Sequence, residues 1–424
     1  MKMKEKVEKV YILMFGFSNV VAGGPIYDSN KIRFLESKGW NVVVFPVDSG
    51  KVYIADLKRF KGKAFDFIRY YPFFFTKKQI KLFLNCMVSL IPDADQIVIE
   101  TGTDYTSLWG ELLAETIGAK HIVFFLDEKN DNVNKYSAPF YRFKYERNEL
   151  AAISERSLTH IFSPYMKIDF PQRYVLKAWC SNSVRSIPTD LLDHIPKTDF
   201  LVGSIGRLEK GYVEKIVESV CTLAANISDR LFGLVLIGGT DNTEVIYQLK
   251  CKVENFKNVK LYITGYVWPI PESIFNAFDL FISAAGSASV SANMNITTIK
   301  LDVISYEPIG FIEDPVNNVL GKCKLGNKLT DYIYQALIDK DVPGIINRQS
   351  PENLWNTICG DFEKHLDFIA QSEKENVYYP VRNIWNHGFI QIIKKFVFSI
   401  FSYKNTIKIQ SLYGKAIKQI RNVR

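Results

Sequence analysis

The stretch that decides the fold is LVGSIGRLEKGY, residues 201–212. Its apolar start predicts a β-strand and the residues after it predict a helix, with Gly206 and Gly211 on either side of Arg207 and Lys210. Glycine lets the backbone approach a ligand closely, and the first turn of a helix offers free N–H groups and the positive end of its dipole. The stretch therefore indicates either an anion-binding loop or a strand end with solvated charges.

The residues on both sides of this stretch alternate between strand and helix patterns. The predicted strands are 200–203, 232–237, 259–264, 280–283 and 297–303, and the predicted helices are 213–225, 242–253, 271–277 and 289–294. Strands that alternate with helices in this way are typical of βαβ units and a parallel sheet.

The N-terminal residues show the same alternation. The predicted strands there are 10–15, 40–46, 96–100, 121–126 and 161–163, and the predicted helices are 26–38 and 107–117. Residues 181–199 lack periodicity and contain two prolines, so we interpret them as a linker. We predict an α/β protein with two doubly wound, Rossmann-like domains, 1–180 and 200–350, which face a cleft at the carboxyl ends of their strands. Residues 351–424 are expected to form C-terminal helices, a crossover and a basic tail.

The composition is that of a folded protein. Of the 424 residues, 47% are hydrophobic and 23% are charged. The six cysteines include no C-x-x-C pair and the five histidines show no metal-ligand spacing, which favours a reduced, cytoplasmic chain without disulfides or zinc. The N-terminal apolar run lacks a small-residue cleavage site, and no run of about 18 apolar residues predicts a membrane span.

Positive charge is concentrated at the C-terminus. The net charge is +8, yet residues 378–424 carry nine Lys and Arg and no acidic residue, so the rest of the chain has a net charge of −1. In FIQIIKKFVFSIF, residues 389–401, the apolar side chains share one helical face. This pattern suits peripheral binding to an anionic membrane surface, and it equally suits a helix packed back on the N-terminal domain. Because no known RNA- or DNA-binding module is present, we do not expect a nucleic-acid partner.

Five segments resemble the GT-B glycosyltransferases of the GT4 type, also called group 1. GSIGRLEKG (203–211) is similar to their G-R-L-x-x-x-K-G element, and LVLIGG (234–239) to their glycine-ended strand. NVKLYITGYV (258–267) and FDLFISAAG (278–286) resemble the next two blocks, with fitting intervals. AGGPIYDSNKIRFLESKGWNVVVF (22–45) is loosely similar to the family's N-terminal Gly-Gly loop, helix and strand.

The resemblance implies a nucleoside-diphosphate sugar donor in the C-terminal domain and a glycan or lipid-linked acceptor near the N-terminal one. By position, Arg207 and Lys210 are expected at the donor diphosphate, and Tyr266 and Val267 beside the nucleobase. Gly23 and Gly24 are expected to approach the phosphate or the acceptor from across the cleft.

The sequence departs from the family in two places. Its Arg-to-Lys spacing is shorter by about two residues, which weakens the transfer to Lys210. The E-x7-E element is absent, and AAGSAS (284–289) stands in its place. There Gly286, Ser287 and Ser289 can hold phosphate through N–H and hydroxyl groups, although small residues also suit a tight packed turn. The ribose contact is left unassigned, with Glu307 as a candidate.

The reaction requires a general base only if it inverts the configuration at the anomeric carbon of the sugar. An inverting enzyme needs a general base, for which Asp127 and Asp104 are the first candidates and Glu100 the third. Asp127 begins the turn-rich DEKNDN, so a turn-capping role is the alternative. No DxD-type motif is present, and Arg207, Lys210 and helix N-termini can stabilise the leaving group. We therefore expect no metal and no cofactor.

The sequence thus predicts a glycosyltransferase of the hexosyltransferase type, in a bacterial surface-polysaccharide pathway at the cytoplasmic face of the membrane. Two alternatives remain open. One is a nucleotide-sugar epimerase of the same fold, and the other is a non-catalytic glycosyltransferase-like subunit, which the missing Glu pair favours.

Overall fold

The structure is a computed structural model of the whole chain. It describes residues 6–16, 21–47, 51–62, 64–126, 136–162, 174–315 and 327–384, together with Phe396. These residues form two α/β units, each built on its own sheet.

The first unit is a parallel sheet of five strands in the order β2-β1-β3-β4-β5. Its elements in chain order are β1 (Lys6–Phe15), α1 (Gly23–Ser37), β2 (Asn41–Pro46), α2 (Lys77–Val88), β3 (Asp93–Thr101), α3 (Asp104–Ile117), β4 (Lys120–Phe125), α4 (Ala138–Glu146), β5 (Leu150–Ala152) and α5 (Glu155–Phe162). Three short 3-10 helices, Ala55–Phe60, Asp66–Arg69 and Pro72–Phe74, connect β2 to α2. A continuous apolar core fills both faces of this sheet.

The second unit is a sheet of six strands in the order β13-β12-β11-β7-β8-β9, parallel except for its antiparallel edge strand β13. Its elements are β7 (Phe200–Ile205), α7 (Gly211–Asn226), β8 (Phe232–Ile237), α8 (Thr243–Glu254), β9 (Val259–Ile263), β11 (Leu280–Ala284), α9 (Ala285–Asn293), β12 (Thr298–Leu301), β13 (Pro308–Phe311) and α10 (Leu329–Tyr334). A 3-10 helix, Glu272–Ala277, precedes β11, and a π-helical turn, Gln335–Asp339, follows α10. Two apolar clusters, one on each face, hold this sheet.

The segment between the sheets belongs partly to the second unit. It contains β6 (Val184–Arg185) and α6 (Leu191–His194), and β6 pairs in parallel with β10 (Ile270–Pro271). Arg185 also forms an ion pair with Asp56 of the first unit, at 3.3 Å. The segment therefore contacts both units.

The chain returns to the first unit after residue 350. Helix α11 (Pro351–Ala370) buries Phe362 and Phe368 in the first apolar core. Beyond it, Asn376 Nδ2 donates to the backbone O of Gly118 at 2.8 Å, and Tyr378 Oη donates to the backbone O of Ala119 at 3.1 Å. The C-terminal part of the described chain is thus fastened to the N-terminal sheet.

The predicted α/β class with two doubly wound sheets is confirmed, while the predicted domain limits themselves stay a prediction. The strand predicted at 161–163 is wrong, because residues 155–162 form helix α5. The fifth strand is Leu150–Ala152, which is only three residues long but fully buried. Of the predicted amphipathic tail helix at 389–401, only Phe396 lies within the described residues.

Candidate functional site

Each sheet has a topological switch point, where successive strands are added on opposite sides of the first one. The point falls between β1 and β3 in the first unit and between β7 and β11 in the second. Ligands of doubly wound sheets bind at the carboxyl edge beside such points. Helices α1, α7 and α9 begin there without a side-chain N-cap among the described residues, whereas Thr103 caps α3. The uncapped first turns leave N–H groups for an anion at this edge.

Arg207 lies at the carboxyl end of β7 and lines a cavity between the two units. The cavity is bounded by Val21 of the first unit and by Asn182, which precedes β6. The Arg207 side chain is 33% exposed, and its Nη1 atom lies 3.3 Å from Glu209 Oε1. The guanidinium therefore reaches the cleft, while one of its nitrogen atoms is directed at the surface carboxylate of Glu209.

Glycines allow the ends of β7 and β8 to meet beneath Arg207. A Cβ atom added to Gly238 would lie 1.9 Å from the backbone O of Gly206, and one added to Gly206 would lie 1.9 Å from Tyr212 Oη. A side chain at Gly238 would displace backbone, and one at Gly206 would displace the Tyr212 ring. The sequence pattern of glycines after β7 and β8 is therefore explained by close backbone packing at the floor of the cavity.

Tyr266 and Val267 line the same cavity as Arg207. The Tyr266 ring packs against the ring of Tyr53 from the first unit, with centroids 4.5 Å apart and planes at 41°. Burial, aided by Glu209 and Asp241, raises the pKa of Tyr266 to about 12, and its hydroxyl has no hydrogen-bond partner among the described residues. The free volume is only about 20 Å³, whereas sites for small molecules usually measure about 300–1,000 Å³. A nucleotide can enter only if Tyr53 moves or the units separate.

Removal of the Tyr53 ring should therefore favour ligand entry. We expect Tyr53→Ala to tighten nucleoside-diphosphate binding by up to about tenfold, since an aromatic pair of this kind contributes about 0.5–1.5 kcal/mol that the ligand must otherwise displace. Isothermal titration of wild type and variant measures the difference. Weaker binding by Tyr53→Ala would instead show that Tyr53 contacts the bound base.

The AAGSAS segment forms a sharp turn from β11 into α9. Ala285 has φ of 49°, in the left-handed region that is strained for a residue with a Cβ atom. The first turn of α9 is tightly packed, because a Cβ atom on Gly286 would lie 2.1 Å from Ser181 Oγ. Gly286 and Ser289 line a separate cavity of about 820 Å³ between the units, and Ser287 is half-buried. The structure thus does not bring these three residues into the cavity that holds Arg207.

Gly23 and Gly24 form the first turn of α1. A Cβ atom on Gly23 would lie 3.1 Å from Cys180 Cβ, while one on Gly24 would meet nothing within 4 Å. Gly24 lines a third cavity of about 490 Å³ at the carboxyl edge of the first sheet, whose wall also contains Asp28 and Glu100. Gly23 therefore packs against Cys180, the residue before the linker, and Gly24 faces open space.

The three proposed bases differ in their surroundings. Asp127 lies outside the described residues. Asp104 is fully buried and accepts hydrogen bonds from the hydroxyls of Tyr71 (2.8 Å), Ser137 (3.3 Å) and Tyr141 (2.5 Å). Burial raises its pKa to about 6 against the effect of these donors. Three hydroxyls thus hold the carboxylate of Asp104 at the start of α3, and its role as a base stays a prediction. Glu100, by contrast, lines the first unit's cavity.

Lys210 and Glu307 lie away from the nucleobase region. Lys210 is exposed at the N-terminal end of α7, and it is not among the residues that line the cavity of Arg207. Glu307 is paired with Lys215 at 2.9 Å and lines a groove beside α7 and α10. The structure therefore does not bring Glu307 to the place predicted for a ribose.

Two further observations concern metals and membranes. Within the described parts of the chain, no group of three or more His, Cys, Asp or Glu side chains is arranged to hold a metal ion. No helix in those parts has the length and apolar character needed to cross a bilayer. Metal independence and membrane association both stay predictions.

Two doubly wound units that face one cleft, with a C-terminal helix returning to the first unit, form the GT-B architecture. No protein-family model and no curated protein matches the sequence. Membership of the GT4 type therefore stays a prediction.

Solved structures with a similar fold share little sequence with this chain. A glycosyltransferase from Rickettsia africae is 14% identical, with a TM-score of 0.49, over 97% of this chain and 99% of that one. The lipopolysaccharide outer core galactosyltransferase WaaB is 14% identical, with a TM-score of 0.49, over 92% and 100%. Anabaena Alr3699/HepE, solved with UDP and glucose, is 11% identical, with a TM-score of 0.47, over 96% and 99%.

The sequence interpretation missed two side chains, Tyr53 at the cavity between the units and Asp28 at the first unit's cavity. Tyr53 belongs to a segment without clear periodicity, and its contact with Tyr266 joins residues more than 200 positions apart. The sequence did contain a signal for Asp28, because a charged residue on the apolar face of a half-buried helix such as α1 is unusual.

Proposed function

We propose that this chain is a glycosyltransferase that takes a sugar from a nucleoside diphosphate bound between its two units. The observation that carries the proposal is the position of Arg207. Its partly exposed guanidinium lies at the carboxyl end of β7, beside the uncapped start of α7, in a cavity that Tyr266 closes on one side. Once Tyr53 moves or the units separate, the residues that line this cavity offer an aromatic surface for a flat base and a cation for a diphosphate, the two groups that a nucleoside diphosphate combines.

Each part of the donor has a counterpart in this arrangement. The fork of Arg207 can bind two phosphate oxygens, and the N–H groups at the start of α7 add positive potential. Tyr266 and Val267 offer a flat apolar surface for the base. Arg207 and these N–H groups stabilise the negative charge on the diphosphate as the glycosidic bond breaks, so no metal is required by this scheme.

We further propose that the acceptor is a hydroxyl of a glycan or of a lipid-linked glycan, and that the enzyme works at the cytoplasmic face of a membrane. The basic C-terminal tail supports the second part, because nine cations without an acidic residue attract an anionic surface. Bacterial surface-polysaccharide synthesis is the pathway that we propose.

The test is a titration of the full chain with ADP, GDP, UDP and dTDP, followed by thermal melting. We expect at least one diphosphate to bind and to raise the melting temperature, as any ligand of the native state does. If none of the four binds, the proposed donor site is contradicted. Product analysis with a binding sugar nucleotide then separates transfer or hydrolysis from epimerisation, in which the sugar changes without release of nucleoside diphosphate.

A further inference from the structure

The cavity in the first unit contains a buried carboxylate that the proposed donor site does not use. Asp28 lies on α1, is only 7% exposed, and lines this cavity of about 490 Å³. Among the described residues, no hydrogen-bond donor and no cation pairs with its carboxylate. Buried acidic side chains are normally paired or hydrogen-bonded because burial of a charge is costly. An unpaired one that faces a cavity indicates a site that awaits a ligand.

Glu100 is the neighbouring carboxylate, and its surroundings are the opposite. It accepts hydrogen bonds from Tyr11 Oη at 2.5 Å and Tyr27 Oη at 2.7 Å, and Lys31 Nζ lies 3.5 Å away. Glu100 is thus held in place and compensated by three groups, whereas Asp28 has none. Two carboxylates with such different environments take different roles.

We infer that Asp28 accepts the proton of the attacking acceptor hydroxyl and that the first unit's cavity holds the acceptor's sugar ring. The inference rests on the proposed function. The step is a single displacement that inverts the anomeric carbon: as the acceptor oxygen forms a bond to that carbon, its proton passes to an Asp28 carboxylate oxygen. The bond from the anomeric carbon to the diphosphate oxygen breaks, and its electron pair leaves with the nucleoside diphosphate.

The walls of the cavity suit a sugar ring. Tyr105 and Phe124 offer aromatic surface for the apolar face of a pyranose, and Thr103 and Gly24 line the same cavity as Asp28. Its volume lies within the usual range for a small-molecule site. Glu100, the third base candidate from sequence, is then a fixed part of this wall, and its charge raises the pKa of Asp28.

The cavity is also close to the second unit. Gly23, in the first turn of α1, packs against Cys180, and the next residue, Ser181, packs against Gly286 at the start of α9. Two consecutive residues, Cys180 and Ser181, therefore lie between the first turn of α1 and the first turn of α9. The helix that carries Asp28 is thus linked through them to the helix that begins at the second switch point.

The proton-accepting role has a consequence for pH. The titratable groups around this wall are Asp28 and Lys31 on α1, Tyr27 on α1, Tyr11 on β1, Glu100 on β3, Cys180, His365 on α11 and, across the cavity, Arg69. Burial raises the pKa of Asp28 well above its usual range, and the charge of Glu100 raises it further. Because only ionised Asp28 accepts a proton, turnover should rise with pH well beyond the range in which an ordinary aspartate titrates.

The melting temperature of the Asp28→Asn variant at different pH values distinguishes a functional role of Asp28 from a structural one, and this measurement needs no substrate. A raised folded-state pKa means that Asp28 stabilises the fold only at low pH, and that this contribution is lost as pH rises above its unfolded value. The Asp28→Asn variant avoids that loss, so its melting temperature should exceed that of wild type by a margin that grows from pH 5 to pH 8. Asp95→Asn, which changes an exposed carboxylate on β3, should show no such margin. A lower melting temperature for Asp28→Asn at pH 8 overturns the inference.

The activity experiment uses the full chain with ADP-, GDP-, UDP- and dTDP-glucose and methyl glucosides as acceptor probes, and measures the nucleoside diphosphate released. We expect Asp28→Asn to lose about 100-fold or more in turnover while it binds nucleoside diphosphate like wild type, and we expect formate to restore part of the rate of Asp28→Ala. Turnover within threefold of wild type, or loss of nucleotide binding by Asp28→Asn, contradicts the inference alone. Failure of wild type to bind any of the four diphosphates contradicts the proposed function first, and the inference falls with it.

Discussion

Replacement of Arg207 by alanine is expected to weaken nucleoside-diphosphate binding by roughly 10- to 100-fold. A hydrogen bond to a charged group contributes about 1.5–3 kcal/mol, and a two-pronged contact to phosphate lies at the upper end of that range. The melting temperature of the free protein should barely change, because the side chain is one-third exposed and its only described ion pair, to Glu209, is a surface one. Isothermal titration with the diphosphate that binds wild type measures the effect.

Three variants of the second unit serve as its controls. Arg207→Lys keeps the charge but loses the fork, so its affinity should fall between those of wild type and Arg207→Ala. Glu209→Gln removes the carboxylate that competes for the guanidinium and should bind slightly more tightly. Arg230→Ala removes a comparable arginine, paired with Asp199 and 54% exposed, and should bind as wild type does. Equal binding by Arg207→Ala and Arg230→Ala would show that the diphosphate lies elsewhere.

The central strands of both sheets could be predicted from sequence for a clear physical reason. A parallel strand covered by helices on both faces is apolar at nearly every position. FGLVLI, which forms β8, is buried along its whole length, and the strand at 10–15 shows the same pattern within the longer β1. When a glycine and a helix follow such an apolar run, few structures other than a buried parallel strand fit it.

The edges of the sheets could not be predicted in this way. Strand β5 has three residues, and its pairing with β4 depends on packing from α4 and α5, which a short window does not record. The apolar residues near 161 belong to α5, and a run this short fits a helix and a strand equally well. Strand β13 pairs antiparallel with β12, and no local signal specifies that direction.

The candidate site shows the same limit. Arg207, Tyr266 and Val267 follow strands, so their common position at one carboxyl edge follows from the fold. Tyr53 reaches that edge from the other unit, and the surroundings of Asp28 include Glu100, which lies 72 residues later in the chain. Contacts of this kind depend on tertiary structure, and a single sequence without aligned relatives does not reveal them.

The largest effect on stability is expected at Glu111. This fully buried carboxylate lies 2.5 Å from Lys144 Nζ and 2.6 Å from His121 Nδ1, and it accepts a hydrogen bond from the backbone N–H of Tyr379 at 2.7 Å. Glu111→Ala leaves Lys144 with one carboxylate, Glu149, in place of two and removes one of the hydrogen bonds that fasten the C-terminal segment to the first unit. Loss of one partner of a buried ion pair costs about 3–5 kcal/mol. Urea unfolding followed by circular dichroism should show that loss.

The pH dependence of unfolding provides an independent check on Glu111. Burial alone would raise the pKa of this carboxyl, but Lys144 and His121 outweigh burial and lower it to about 2. A depressed pKa means that the stabilisation is complete above the unfolded value of 4.5 and is lost as pH falls towards 2, by about 3 kcal/mol. Glu111→Ala should therefore lose much less stability than wild type between pH 5 and pH 2. Glu146→Ala, which breaks an exposed pair with Arg142, should stay within about 0.5 kcal/mol of wild type at neutral pH, and an equal effect of the two substitutions would show that the buried network does not fasten the C-terminal segment to the sheet.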